Sequence, residues 1–591
     1  MFNILGILLA LIISSAGRGS GTLVGWESVA AVGGGVLAVL FFYYSVSSHL
    51  VERWQLIRLR LLALDKDSPP EYRTGLQHER ELLLRRVPLF RLGVDAMILG
   101  LFLAQVTVFG WSDYISDTLG VPLYLDVLPN LLPYFLMLGA SWVGQYRIER
   151  HIRGGGWRPL RFLMFQSRAN LMTILPIVLI YTAYWALINY VPHADDLRRS
   201  FEFLEIGAQL ALVVFISLFV PLAIRLILPG GPMPDGRLRR RLETFARDRG
   251  LKVNQILVWR TGSRFFATAF VIGLVSPFRY VFFTDTLLKS MSEDEILAVF
   301  AHEMGHVHHR HLWWLLAFIL SFTVVMLGLV VGLEMLPLPA GEWDLVAMGA
   351  LIAYAYFAFG FVSRRFERQA DAFAAKHTSP ELMSSVLLRL GMENPTAMKR
   401  HGWRHFSLQR RMREILAPES RPEIRKVFRA ELVKGMGVAL LVTMLSAAVL
   451  VKPVRDDVVS GLATYSLTQF HNAREANAEP GRLEELRLRT IERSEAMAPL
   501  HPEYEASAYW YEGQVQILTG KETDAFERLI KFAREQQTDA ESENERKRWE
   551  YFESLAEASK AAAHRALANN TPFDHELSVE LERHGLGAGG S

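Results

Sequence analysis

The chain reads as a mainly α polytopic membrane protein with a small β element in its middle and a soluble helical region towards its C-terminal end. Three observations carry this. Of 591 residues, 51% are hydrophobic, and the mean hydropathy is +0.17. The apolar residues gather in runs close to the roughly 20 residues that a bilayer-spanning helix needs. The composition then changes after Lys452-Pro453, and residues 455–570 are charged and helix-favouring. Cysteine is absent, so no disulfide framework supports the C-terminal region.

Eight spans are expected, near residues 24–46, 93–112, 127–145, 170–191, 206–228, 312–334, 344–362 and 435–452. Residues 2–16 are apolar but short; they lack the basic start of a signal peptide and read as a ninth, marginal span or an interfacial helix. Pro129, Pro133, Pro176 and Pro221 interrupt the spans. The loops after 46, 145 and 228 and residues 363–434 are rich in arginine, whereas the alternating loops are acidic or short. Basic loops mark the cytoplasmic side. Threading eight spans puts every basic loop on that side, and carries the C-terminal part across. The expected domains are a transmembrane region at 1–229, a central domain at 230–433 that includes a transmembrane hairpin at 312–362, a span at 434–452, a soluble helical domain at 453–570, and a partly disordered tail at 571–591. An inner, cytoplasmic membrane of a bacterium is the expected location. Nothing points to a nucleic acid partner; membrane lipid is the expected surroundings.

Within the central domain, Ser292-Glu293-Asp294-Glu295 has the capping-box pattern, with acidic residues where the helix dipole favours them. Ile296, Leu297, Val299 and Phe300 follow at helical spacing. The same helix then carries His302-Glu303-Met304-Gly305-His306. One turn apart, His302 and His306 can grip one zinc ion, with Glu303 beside it as a proton acceptor. The alternative is a charged turn with two histidines facing water. A catalytic zinc site needs a third ligand and an open position. A histidine six residues beyond His306, after a glycine, would supply it in one class, but those positions hold Leu312 and His309. The other source is a separate helix, Ser363 to Asp371, where Glu367 and Asp371 share a face. Glu367 can ligate, and Asp371 can accept a hydrogen bond from the far nitrogen of a ligand histidine. Alternatively, both carboxylates solvate a basic helix. His308, His309 and His311 read as interfacial side chains rather than a second metal site.

These motifs, in this order, resemble the membrane metallopeptidase family that contains the CAAX prenyl proteases and the HtpX heat-shock proteases. Ala267 to Leu274 looks like the family's N-A-x-x-x-G edge strand, with Ala267 and Thr268 as departures, and Val281 to Leu288 like the strand and turn that follow. The resemblance covers about residues 230–416. It implies a gluzincin-type zinc peptidase domain holding one Zn²⁺ per chain, with His302, His306 and Glu367 as ligands and Glu303 as general base. The edge strand, including Ala267, Thr268, Ala269 and Phe270, would pair with an extended protein or peptide substrate. Trp403 to Arg411 looks like the family's downstream H-x-S segment, without the usual His-Pro. There His405 would stabilise an oxyanion or be structural, and Arg410 and Arg411 would bind substrate carboxylate or face lipid headgroups.

The implied activity is zinc-dependent endopeptidase cleavage of membrane or membrane-associated proteins, as in HtpX-like quality control. The alternative within the class is CAAX-type processing of lipidated or C-terminal peptides. An inactive membrane scaffold is the alternative of another class. In the C-terminal region, Ala506, Tyr509, Gly513, Leu518, Gly520 and Ala525 loosely follow a tetratricopeptide helix pair. A helical bundle able to dock a protein partner is the simpler expectation.

Overall fold

The computed structural model describes residues 25–64, 69–119, 127–152, 158–191, 194–261, 267–334, 354–393, 406–416, 422–540, 543–569 and 571–583, with a few isolated positions besides. The protein is mainly α, and it divides into two compact units. The expected segment 2–16 lies largely outside the described residues, as do 344–348 and 350–353 of the expected span at 344–362 and 584–591 of the expected tail; the tail's first residues instead form a helix, Phe573–Arg583.

The first unit opens with α1 (Trp26–Leu62), α2 (Pro70–Thr107), α3 (Val127–His151) and α4 (Pro159–Tyr190). Val39, Tyr43, Val94, Ile98, Phe102 and Met137 form the core of the first three. Gln105 Nε2 donates to the Ala31 carbonyl at 3.2 Å, a buried polar tie between α2 and α1. Next come α5 (Glu202–Ile227), β1 (Gly230–Pro232), α6 (Arg237–Arg247), β2 (Gln255–Trp259), β3 (Ala269–Ile272), β4 (Tyr280–Thr284), α7 (Asp285–Ser290), α8 (Glu293–His308) and α9 (His311–Glu334). Then follow α10 (Gly360–His377), α11 (Pro380–Glu393), α12 (Leu408–Leu416) and α13 (Pro422–Glu475).

The four strands form one sheet in the order β1-β2-β4-β3. β2 and β4 run parallel, while β1 and β3 pair antiparallel at the two edges. Every residue of β4, Tyr-Val-Phe-Phe-Thr, is buried. That is why it reads as a continuous apolar run instead of an alternating strand. Phe283, Phe300, Met304, Phe373 and Leu387 form the core that joins the sheet to α8, α10 and α11. Gly273 turns the chain out of β3 at φ 105, and a Cβ there would meet the Phe278 carbonyl. Only glycine adopts that backbone without strain.

Among the described residues, five helices are long and apolar enough to cross a membrane: Trp26–Leu62, Pro70–Thr107, Phe203–Ile227, His311–Leu333 and Val433–Glu475. A sixth candidate is the pair Pro159–Met172 and Ile174–Ile188, bent by 41°. Pro176 explains the bend, because it cannot donate to the carbonyl four residues earlier. The segment expected to span at 127–145 is helical within α3, but is not among these candidates.

The second unit contains the later part of α13 together with α14 (Pro480–Met497), α15 (Pro502–Leu518), α16 (Ala525–Asp539), α17 (Glu543–Asn569) and α18 (Phe573–Arg583). Phe470, Leu486, Phe526, Leu529, Trp549 and Phe573 fill its core. Gly513 lets α15 approach the Phe526 ring, which a Cβ would touch at 2.7 Å. The unit is a helical bundle, as the composition suggests.

Candidate metal centre and active site

Helix α8 starts where the sequence places it. Ser292 Oγ accepts from the Glu295 N–H, and the Ser292 N–H donates to Glu295 Oε2 at 2.8 Å. Two to three turns later His302, Glu303 and His306 face α10. Gly305 makes that approach possible: a Cβ there would lie 2.8 Å from the Ala370 Cα. The close crossing brings Glu367 over the two histidines.

The Nε2 atoms of His302 and His306 lie 3.3 Å apart. Glu367 Oε2 is 3.5 Å from His302 Nε2, and Glu367 Oε1 is 3.6 Å from His306 Nε2. Donor atoms of the three residues all lie within 4.8 Å of one another. Two imidazoles and a carboxylate match the donor set of catalytic zinc sites. They line a pocket of about 400 Å³ with Glu303, Ala267, Thr268, Ala269 and Phe270.

The electrostatics fit a cation. Burial opposes charge on His302, but the carboxylates of Asp371 and Glu367 outweigh it and raise the imidazole pKa to about 10. His306 moves the other way, to about 4, through burial and repulsion by His302. The carboxylates of Glu367 and Asp371 thus favour positive charge at the two histidines. Burial raises the Glu303 carboxyl to about 7, against the pull of His302 and the Val271 N–H.

Asp371 Oδ1 sits 3.0 Å from His302 Nδ1. Behind it, Arg411 donates two hydrogen bonds to Asp371, from Nε at 2.7 Å and from Nη2 at 2.6 Å. Burial alone would raise the Asp371 pKa; Arg411 instead holds it at about 2. This fork-to-fork pairing is the strong form of a charged hydrogen bond.

The sheet supplies a second wall. β3 pairs with β4 on one side only, and no strand occupies its other edge among the described residues. The Val271 N–H donates to Glu303 Oε2 at 2.9 Å. Ala269 and Phe270 lie within the strand, while Ala267 and Thr268 lead into it, and the Thr268 N–H donates to Thr284 Oγ1 at 3.0 Å.

The structure gives Arg410, Arg411 and His311 a different setting from the one expected. His405 lies outside the described residues. Arg411 is buried and committed to Asp371 instead of facing headgroups, while Arg410 covers the Phe406 ring at 4.0 Å and donates to Glu414 at 2.9 Å. His311 is not an interfacial side chain: it is 1% exposed and lies against His306. Arg310 explains this, since its left-handed φ of 56 breaks the helical path between α8 and α9. No glycine or proline marks that turn. The five-residue spacing from His306 to His311 was the only signal, and an unbroken helix would have separated the two rings.

Parts of the chain are similar to known proteases. Residues 232–418 match peptidase family M48. Over 184 residues the chain is 30% identical to an Arabidopsis thaliana protein named CAAX prenyl protease 1 homolog, covering 28% of this chain and 43% of that protein. It is 28% identical over 234 residues to a protease HtpX homolog of Aeropyrum pernix, covering 36% of this chain and 70% of that protein. The chain thus spans less than half the length of the plant relative. Among solved structures, S. mikatae Ste24p aligns at 18% identity with a TM-score of 0.45, covering 64% of this chain and 98% of that one.

Proposed function

From a chain whose residues 232–418 match peptidase family M48, we infer a membrane-bound zinc endopeptidase acting on membrane or membrane-associated proteins. The observation that carries this reading is the convergence of His302, His306 and Glu367 beside a buried carboxylate, Glu303, at the open edge of β3. His302, His306 and Glu367 would hold one Zn²⁺, which when bound supplies a Lewis acid that polarises the scissile carbonyl and acidifies a water.

The chain's own residues do the rest. Glu303 takes a proton from the attacking water and returns it to the leaving nitrogen. Its burial suits both steps, because a carboxyl raised towards neutrality gives up a proton as readily as it accepts one. Asp371 holds the His302 ring through Nδ1, and Arg411 holds Asp371. The outward edge of β3 at Ala269 pairs with an extended substrate backbone, with Ala267, Thr268 and Phe270 beside it. His405 is assigned to the developing oxyanion.

The arginine-rich loops support placing the catalytic domain on the cytoplasmic side of a bacterial inner membrane, with the helical bundle after residue 453 on the other side, available to a protein partner. A second reading, processing of lipidated C-terminal peptides, is favoured by the likeness to a CAAX prenyl protease 1 homolog.

The test is elemental analysis and peptidase assay of the purified full chain. One zinc per chain is expected, with activity lost to a chelator and restored by zinc. Glu303→Gln should keep the zinc and lose activity. A Glu303→Gln protein that cuts at the wild-type rate removes Glu303 from its role, and a wild type without zinc removes the reading.

A further inference from the structure

Both nitrogens of the His306 ring are spoken for. Nε2 faces His302 and Glu367, while Nδ1 lies 2.9 Å from His311 Nδ1. Two imidazole nitrogens at that distance form a hydrogen bond only if one carries a hydrogen and the other does not. The next contact decides which. His311 Nε2 lies 2.8 Å from Gln369 Oε1. A carbonyl oxygen only accepts, so His311 Nε2 carries the hydrogen. A neutral imidazole has one, so His311 Nδ1 is bare and accepts from His306 Nδ1. The His306 hydrogen is thereby held on Nδ1, and the Nε2 lone pair is left for a metal.

We propose that His311 and Gln369 are positioning residues: a relay from Gln369 through His311 sets the tautomer and orientation of His306. The inference rests on the reading of His306 as a metal ligand. The elements support the relay. His311 is 1% exposed, and its ring stacks on Phe366 with centroids 4.1 Å apart and planes 11° apart. Phe366 precedes Glu367, and Gln369 follows it by two positions, so α10 supplies the third donor, the ring support and the end of the relay together. The left-handed residue Arg310 delivers His311 from the other side. With the Gln369 amide reversed, the chain of donors would run backwards. His306 Nε2 would then carry the hydrogen and could not ligate. The relay is separate from the Asp371 and Arg411 pair, which acts on His302.

The experiment is zinc affinity of the full chain in detergent, measured by competition with a chromophoric chelator after metal removal. Gln369→Leu, which removes the acceptor at nearly constant shape, should weaken zinc about 10- to 100-fold, the usual effect of losing such an outer contact. Gln369→Glu, which can only accept, should stay within about threefold of wild type, inside the factor that separates a kept contact from a lost one. His311→Phe keeps the stack on Phe366 and should fall with Gln369→Leu; combining the two should cost no more than His311→Phe alone. Unfolding temperatures of the metal-free variants should match wild type, which separates the relay from a general loss of folding. Wild-type affinity in Gln369→Leu, or equal weakening in Gln369→Glu and Gln369→Leu, would overturn the proposal. A wild type that binds no stoichiometric zinc would instead fail the proposed function, and the relay with it.

Discussion

Glu303 Oε2 accepts a hydrogen bond from the Val271 N–H at 2.9 Å, tying the metal-site helix to the outer strand of the sheet. The Glu303 carboxylate is thereby aimed by the backbone of the strand that lines the pocket. Val271 is a buried residue of the strand, 8% exposed, so its amide cannot turn to water without disturbing the core.

The Glu303 carboxyl has a pH signature. Its pKa is raised from 4.5 to about 7, first by burial. A raised acid binds protons more tightly in the folded state, so its contribution favours folding at low pH and is lost as pH rises from about 4.5 to 7. In the metal-free protein Glu303→Gln removes that loss. The variant should be the more stable at pH 8, by up to roughly 3 kcal/mol, with the gap closing at pH 4.5. Thermal unfolding at both pH values checks this. In the zinc-loaded wild type the metal cation pulls the same group down. The acidic limb of kcat/KM should therefore lie at or below about pH 7.

Arg411→Leu would leave the Asp371 carboxylate buried without its guanidinium. Breaking one side of a buried pair costs about 3–5 kcal/mol, so a clear fall in unfolding temperature is expected. Adding Asp371→Asn should recover part of it, because no unpaired charge remains. The thermal unfolding of the four proteins forms the cycle, and strict additivity would contradict the pairing.

Gly305→Ala should weaken both fold and metal binding. Its Cβ would sit 2.8 Å from the Ala370 Cα, so α8 and α10 must separate, carrying Glu367 away from the histidines. Overpacking of this kind costs about 1–3 kcal/mol. Unfolding temperature and zinc affinity should fall together; a loss of one alone would argue against a shared cause.

Ser292→Ala removes one arm of the capping box at the start of α8 and should cost about 1 kcal/mol. Because His302 and His306, the proposed ligands, lie two to three turns further on, zinc stoichiometry should be unchanged. Denaturant unfolding alongside elemental analysis checks both halves.

Much of this centre was legible because helices translate spacing into direction. His302 and His306, and likewise Glu367 and Asp371, lie four apart, and side chains four apart share a helical face. The capping box likewise marked the start of α8 to the residue. The parts that escaped depend on packing between distant segments. Arg411 meets Asp371 only because α12 folds against α10, and nothing near Arg411 in sequence announces it. His311 reaches His306 through a left-handed turn that no glycine signals. β1 and β2 are short strands held by pairing, β2 on β4 and β1 on β2, so local pattern alone did not separate them from loops. The long apolar helices were visible as hydropathy, while the bend in α4 follows from a single proline whose effect on a helix is known but whose angle is not written in the chain.

His306 and Glu367 are 61 positions apart, with the apolar helix α9 in the loop between them. An ion gripped by both would be a cross-link in the polymer sense, in a chain that has no cysteine to make one. Closing loops of 15 to 100 residues is worth about 3 to 4.7 kcal/mol in the chain-entropy account. Stripping the ion would therefore slacken the long loop that carries α9 as well as empty the site, and the firmness of that loop would track the supply of metal.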